Sequence, residues 1–285
     1  MPDGRHIVVT GGSGELGQAV VAELLGAGYQ VLSLDRRPHP SGHKRSWVVD
    51  LLDSGALFEA TQGAYAVVHL AAHIAPDLAS DTKTFNDNVA MTYNVLRASS
   101  GNGVKKVVLA SSTAVYGFLY GNRGKTPPYL PADEAHPLLA HDPYGLSKIV
   151  GERMGEAFAT AHDMVITSLR MPGVNYDPRF ERVKRLLVDP GFRAPGFWSY
   201  VDARDAAAAV RLALDRSQPG HRAYNIACNT SNMAEPTAEL VARYFPELHD
   251  VRCDAPGNWS GIDCSAAASE LGFTARHTWQ DAPAA

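Results

Sequence analysis

The sequence predicts an α/β fold: a doubly wound parallel sheet with a small C-terminal lobe. Two observations carry this. Short, β-rich apolar runs alternate with amphipathic segments through the first 170 residues. The runs are continuously apolar, as strands covered on both faces are, so helices must flank the sheet on each side.

The elements follow in order. Residues 6–10 form the first strand. Residues 16–28 form a helix with Leu16, Val20, Val21, Leu24 and Leu25 on one face. Further strands are expected at 30–34, 46–49, 66–70, 106–110 and 164–169. Helices are expected at 82–100, with Phe85, Val89, Tyr93 and Leu96 aligned, and at 143–161, with Ile149, Met154 and Phe158. After Arg170 the rhythm breaks. Residues 171–197 are rich in Pro, Gly, Arg and Phe, with one short helix at 180–188. The stretch WSYVDARDAAAAVRLALD then restores strand and helix, with Asp202 as N-cap and Asp205 in the first turn, near the positive end of the dipole. A strand at 223–226 follows. The tail carries helices at 235–244 and 265–271 but no βαβ alternation.

The bulk composition excludes several classes. A net charge of −4 over 285 residues does not supply the clustered Lys and Arg of a nucleic-acid surface. Three cysteines, Cys228, Cys253 and Cys264, have no CxxC spacing and cannot pair completely, so reduced thiols in a cytoplasmic protein are expected. Eleven scattered histidines show no ligand spacing, and no metal site is predicted. No apolar stretch approaches the roughly 20 residues that span a bilayer, and a strand begins too early for a leader to precede it.

The first turn reads TGGSGELG, with Gly11, Gly14 and Gly17 three apart between a strand and a helix. In a dinucleotide-binding turn the first glycine permits the tight bend. The second lets backbone approach a pyrophosphate, and the third lets the helix pack on the sheet. The helix N-terminus at Glu15 and Leu16 then offers free N–H groups and a positive dipole end to the phosphates. Asp35 ends the next strand, 18 residues beyond Gly17. A carboxylate there accepts from the adenosine ribose hydroxyls and repels a 2′-phosphate, which favours NAD. Arg36 and Arg37 keep NADP open, since an arginine after the acid covers the adenine or binds that phosphate. The alternative for Asp35 is a turn residue before RRPHP.

DPYGLSK places Tyr144 and Lys148 on one helix face. A phenol is too weak an acid to be an efficient base at neutral pH, and an ammonium one turn away favours its phenolate. Such a tyrosine exchanges a proton with an alcohol while hydride moves to or from a nicotinamide. The fifth strand runs into LASSTAVYG, where Ser111, Ser112 and Thr113 offer hydroxyls to a substrate oxygen.

With TGGSGELG, VVDLLD, VVHLAA, NVAMTYNVL, SSTAVYG, YGLSK, LRMPGV and YVDARDAA in order over residues 7–210, the chain resembles the extended short-chain dehydrogenase/reductase superfamily. More narrowly it resembles the NAD-dependent epimerase/dehydratase family, whose fold is Rossmann-type. The resemblance implies Ser112 as catalytic hydroxyl, Tyr144 as acid/base and Lys148 as its partner. It implies Asp50 and Leu51 beside the adenine, and Leu70, Ala71 and Ala72 behind the ribose and phosphates. Asn88 would fix backbone under the nicotinamide, and Met171, Pro172 and Gly173 would lie beside it. His73, Ser112, Thr113, Asn175 and Arg179 are the candidate substrate contacts. The implied division is 1–170 NAD-binding domain, 171–197 substrate lid, 198–227 return strand–helix–strand and 228–285 small C-terminal substrate lobe. The homodimer common in the family would use the helices at 82–100 and 143–161.

Three departures shape the expected substrate. Thr113 and Ala114 stand where dehydrating members carry Asp-Glu, which argues against 4,6-dehydration. Only residues 171–199 are available for a lid, which argues for a substrate smaller than a nucleotide sugar. The loop between Gly117 and Tyr144 is long enough to wall a pocket. Arg179, Arg182, Lys184, Arg185 and Arg193 crowd the lid, where a solvated helix face would account for most of them and one aimed inward would suit a carboxylate or phosphate. The short lid and simple Ser-Tyr-Lys set are partly similar to uronate dehydrogenases. The expected function is NAD-dependent hydride transfer at a secondary alcohol, hemiacetal or ketone of a small carbohydrate or sugar acid. The alternatives are a nucleotide-sugar epimerase and a non-catalytic dinucleotide sensor.

Overall fold

In the computed structural model, residues 5–121 and 124–282 are described; Asn122 and Arg123, in the long loop before Tyr144, lie outside them. The sheet strands are β1 (His6–Thr10), β2 (Gln30–Asp35), β3 (Ser46–Val48), β4 (Ala66–His69), β5 (Lys106–Ser112), β6 (Val165–Met171) and β9 (Gly220–Asn225). They form one parallel sheet in the order β3-β2-β1-β4-β5-β6-β9. The strand order reverses between β1 and β4, which opens a crevice beyond their carboxyl ends. A separate two-stranded pair joins β7 (Val174–Asn175) to β8 (Val201–Asp202).

The helices are α1 (Glu15–Gly26), α2 (Ser54–Thr61), α3 (Asp81–Gly101), α4 (Pro143–His162), α5 (Glu181–Leu186), α6 (Pro190–Arg193), α7 (Ala203–Arg216) and α8 (Thr237–Tyr244). Alternation along each strand sends side chains to both faces. Ile7 and Val9 pack with Val20 and Leu24 of α1 and Ala206 and Val210 of α7. Val8 and Val67 face the other way, toward Leu57 of α2, Leu96 of α3 and Ala159 of α4. Both faces of the sheet are thus dry, which explains the unbroken apolar runs in the sequence.

A third core belongs to the end of the molecule that carries the site. Phe118, Leu130 and Ala132 of the long loop pack with Phe197, Trp198, Leu240, Phe245, Trp259 and Ile262. The loop is therefore interior to this lobe rather than draped over it. The last packed turn of the tail leaves it: Ala267, Leu271 and Phe273 join α7 on the sheet.

Several elements differ from the sequence reading, each for a local reason. Asp53 caps α2, an element the apolar periodicity missed, by accepting from Gly55 N and Ala56 N. β5 runs to Ser112, two residues further than expected, because Ser111 and Ser112 keep pairing with Arg170 and Met171. α8 starts at Thr237 because Pro236 cannot continue a helix backward.

Candidate active site

The loop after β1 turns at Gly11, whose φ of 72° a side chain would resist. A Cβ there would also sit 2.7 Å from Ala71 N, so the loop presses on the Leu70–Ala71–Ala72 segment that leaves β4. A Cβ on Gly17 would overlap Gly11 O, so this glycine lets α1 pack against the loop. Gly14 is different: its Cβ would meet only Gly11 O, at 3.3 Å. The chain itself leaves Gly14 room, which suits close approach by a phosphate. No side chain caps the N-terminus of α1 at Glu15 and Leu16, so its positive end is free for an anion. Gly12 was not anticipated; a Cβ there would overlap Ser33 Oγ, and the doubled glycine was the available clue.

Asp35 stands at the end of β2. Its Oδ2 accepts from Ser13 N at 3.1 Å and its Oδ1 from Arg37 N at 3.2 Å, so it closes the glycine loop as well as the turn behind it. Arg36 and Arg37 are exposed on that turn. Leu51 is buried in the core and Asp50 is exposed beside it, its Oδ1 accepting from Leu52 N. Asn94 Nδ2 holds Leu51 O at 3.1 Å. Asn88 grips the backbone of His73 from both sides: Oδ1 accepts from His73 N at 2.8 Å and Nδ2 donates to His73 O at 3.0 Å.

Ser112 and Tyr144 meet at the mouth of the crevice. Ser112 ends β5, and its Oγ accepts from Ala114 N at 3.1 Å, which also starts the short turn holding Thr113. Tyr144 opens α4, where Asp142 caps the helix by accepting from Gly145 N at 2.8 Å. Burial pushes the Tyr144 phenol well above its ordinary range; the Ser112 hydroxyl opposes this, while Tyr120, Tyr176 and Asp142 add to it. Lys148 Nζ donates to Ala110 O at 2.8 Å and lies 5.6 Å from the Tyr144 ring centre. Burial lowers this amine to about 8, with the Glu152 carboxylate pulling upward. The spacing predicts a phenol lowered by Lys148; in the structure burial is the largest influence on it and acts upward. Behind Lys148 a buried void of about 10 Å³ is lined by His69, Asn88, Thr92, Ser147 and Glu152.

Two aromatic residues near the phenol had no sequence motif to mark them. The Tyr120 ring stands edge-on to Tyr144, 6.0 Å between centres. Tyr176, just past β7, acts on Tyr144 and is itself acted on by Glu15 of the glycine loop and by Arg182.

The other candidate substrate residues are less well aimed. His73 Nε2 pairs with Asp87 Oδ2 at 2.8 Å, an oxygen that also takes Lys83. Asn175 Nδ2 donates to Asp177 O and to Asp202 Oδ2, which ties it to β8. Arg179 is exposed on the turn before α5. Met171 and Pro172 are buried at the end of β6 and Gly173 is exposed. The remaining candidate is Arg193 of residues 171–197. It is half-buried, forms no ion pair among the described residues, and has the Arg182 guanidinium for a neighbour. With the Asn232 amide turned so that its nitrogen donates to Trp198 O, its oxygen accepts from Arg193 Nε at 2.8 Å. A guanidinium that burial desolvates gains from an anionic partner. Among the described residues no group of His, Cys, Asp and Glu is arranged to hold a metal.

The sequence profile of the NAD dependent epimerase/dehydratase family matches residues 7–183. L-arabinose 1-dehydrogenase (NAD(P)(+)) of Haloferax volcanii is 33% identical over 172 residues, 58% of this chain and 66% of that protein. UDP-glucose 4-epimerase of Bacillus subtilis is 32% identical over 171 residues, 54% of this chain and 48% of that protein. The matched stretch thus spans less than two thirds of these relatives. Solved structures match over nearly the full chain. A short-chain dehydrogenase/reductase superfamily protein from Agrobacterium tumefaciens with bound NAD has a TM-score of 0.73 at 26% identity, covering 97% of this chain and 94% of that one. MoeE5 in complex with UDP-glucuronic acid and NAD has a TM-score of 0.71 at 25% identity, covering 97% and 96%.

Proposed function

The chain belongs to the NAD-dependent epimerase/dehydratase family, and on that premise we propose that it is an NAD-dependent oxidoreductase of a small carbohydrate, with a sugar acid favoured. The observation that carries this is the meeting of Ser112 and Tyr144 beside Lys148, at the crevice that the glycine loop also faces. Gly11, Gly14, Gly17 and the open end of α1 would hold the pyrophosphate, Asp35 the adenosine ribose, and Met171, Pro172 and Gly173 the nicotinamide side. When bound, NAD supplies the hydride acceptor.

The chain's own residues handle the proton. Ser112 Oγ holds the substrate oxygen against the Tyr144 hydroxyl. Tyr144 takes the hydroxyl proton in oxidation and returns it in reduction. Burial disfavours the phenolate in the structure, so the phenol rests as an acid, and oxidation should speed up as pH rises above neutrality. Lys148 orients the cofactor ribose and balances the charge that develops on the phenol. Asn88 keeps the His73 backbone in place beneath them. Arg193 receives the substrate carboxylate.

A second reading, a nucleotide-sugar epimerase, draws support from the near full-length similarity to MoeE5, whose structure holds UDP-glucuronic acid. One experiment separates the two. Purified protein is mixed with NAD and D-glucuronate, D-galacturonate, L-arabinose, D-glucose 6-phosphate or UDP-glucose, and nicotinamide absorbance is followed. Net NADH with a free sugar or sugar acid supports the first reading. Epimer formation from UDP-glucose without net NADH overturns it for the second, and tight NAD binding with no turnover makes the chain a sensor. Tyr144→Phe should bind NADH normally and lose turnover by about a thousandfold; retained activity refutes the proton-transfer role.

We also propose a homodimer through α3 and α4, where Tyr93 is left 47% exposed; sedimentation of the wild type as a monomer at micromolar concentration would refute it. No described helix is long and apolar enough to cross a membrane, and the three free cysteines suit the proposed cytoplasmic location, which fractionation would test.

A further inference from the structure

Three consecutive residues at the end of β5 each lie against a different side chain of α4, the first two through hydrogen bonds. Ala110 O accepts from Lys148 Nζ at 2.8 Å. Ser111 Oγ donates to Glu152 Oε1 at 2.6 Å. The Ser112 hydroxyl is near enough to the Tyr144 phenol to draw it down against burial. Tyr144, Lys148 and Glu152 are four residues apart, so they form one stripe along the helix. The proposed chemistry uses only the first two.

The third member is the most tightly held. Glu152 is 5% exposed, and Arg170 grips it with two bonds, Nε to Oε1 at 3.0 Å and Nη2 to Oε2 at 2.7 Å. Arg170 stands opposite Ser111 in the β5–β6 register, so the contacts close a ring through β5, β6 and α4. Arg170 Nη1 continues to Tyr116 Oη at 3.3 Å and Glu134 O at 3.1 Å, which joins the ring to the long loop. A buried ion pair is a poor stabiliser compared with apolar residues of the same size. What it supplies is direction: a carboxylate with three fixed donors tolerates little slip of the helix along the strand.

We propose that Glu152, fixed by Arg170 and Ser111, is a positioning residue for proton transfer, setting α4 against the end of β5 so that Tyr144 meets Ser112. This rests on the Ser112–Tyr144–Lys148 reading above. Its charge has a second effect. Glu152 opposes the burial that lowers the Lys148 amine. His69 of β4, which with Tyr144 also lies beside Lys148, is kept uncharged by burial and by Lys148 itself.

The test compares Glu152→Gln with Glu152→Gln/Arg170→Met. The single variant strands a buried guanidinium and should melt lower; the double variant removes both charges and should recover. In the double variant the backbone amides of residues 112–116 should exchange hydrogen about tenfold faster than in the wild type. With whichever compound of the panel turns over, kcat should stay about tenfold low while substrate KM and the NADH Kd stay within about twofold. Exchange and kcat that recover together with Tm overturn the proposal, because the pair is then only structural. If the double variant does not fold, Ser111→Ala decides by the same two readouts, with wild-type values overturning it. Tyr144→Phe separates the two levels. An active Tyr144→Phe overturns the underlying reading; an inactive one beside a fully active Ser111→Ala overturns this inference alone.

Discussion

Gly14 is the residue at which the chain's own needs and a ligand's can be told apart. Gly11 and Gly17 are demanded by the fold, the one by its φ and the other by overlap with Gly11 O. Gly14 has an ordinary extended conformation, with φ −70° and ψ 166°, and one contact at 3.3 Å to tolerate. Gly14→Ala should therefore melt within about 2 °C of the wild type yet bind NADH about tenfold more weakly, by fluorescence titration. Equal loss of both would mean that Gly14 serves the fold. His69 offers a test by pH. It lies between Thr10 Oγ at 2.7 Å and Thr92 Oγ at 3.2 Å, and burial, with Lys148 second, lowers it from 6.5 to about 3. The unfolded chain binds this proton below pH 6.5 and the folded chain does not. Its contribution is thus intact above pH 6.5 and is lost as pH falls toward 3, by up to about 1.4 kcal/mol per unit. His69→Gln should flatten that part of the stability curve, measured by urea melts between pH 4 and 6.5; an unchanged slope would place the loss in other groups.

Elements show where sequence reading works and where it stops. β1, α1 and α4 were legible because each combines periodicity with a neighbouring motif: the glycines, or DPYGLSK. α2 was missed because an eight-residue helix offers too few turns for its period to stand out. Asp205 shows a different limit. Read from sequence it is a first-turn acid favoured by the dipole. In the structure it also accepts from Arg276 N at 3.0 Å, His277 N at 2.9 Å and His277 Nδ1 at 2.8 Å, fastening the tail to α7. Asp205→Ala should cost about 2–4 kcal/mol and expose the chain near residue 275 to limited proteolysis; resistance equal to wild type would show that Phe273 and Trp279 hold the tail without it.

At the scale of the whole molecule, the third core draws on three distant parts of the chain: the long loop, residues 187–198 and the tail. Under the proposed function, this is where the substrate class would be decided. Arg193 stands among these segments with an amide oxygen for a partner and, among the described residues, no carboxylate. Arg193→Met should raise KM for an acidic substrate about tenfold or more and leave a neutral sugar unaffected. A uniform rise for both would assign Arg193 to lid packing.

The sequence by itself determined the sheet, the glycine turn and the candidate Ser112, Tyr144 and Lys148. These rest on local rules: a strand covered on both faces must be apolar throughout, a tight turn needs glycine, and a helix brings residues four apart onto one face. Tertiary structure alone decided that Glu152 and Arg170 tie α4 to β5, and that Arg193 is partly buried where Arg179 is exposed. It also decided that burial, not Lys148, dominates the Tyr144 phenol. Each of these depends on contacts between segments far apart in the chain and on the water they exclude, and neither has a period or a spacing to be read.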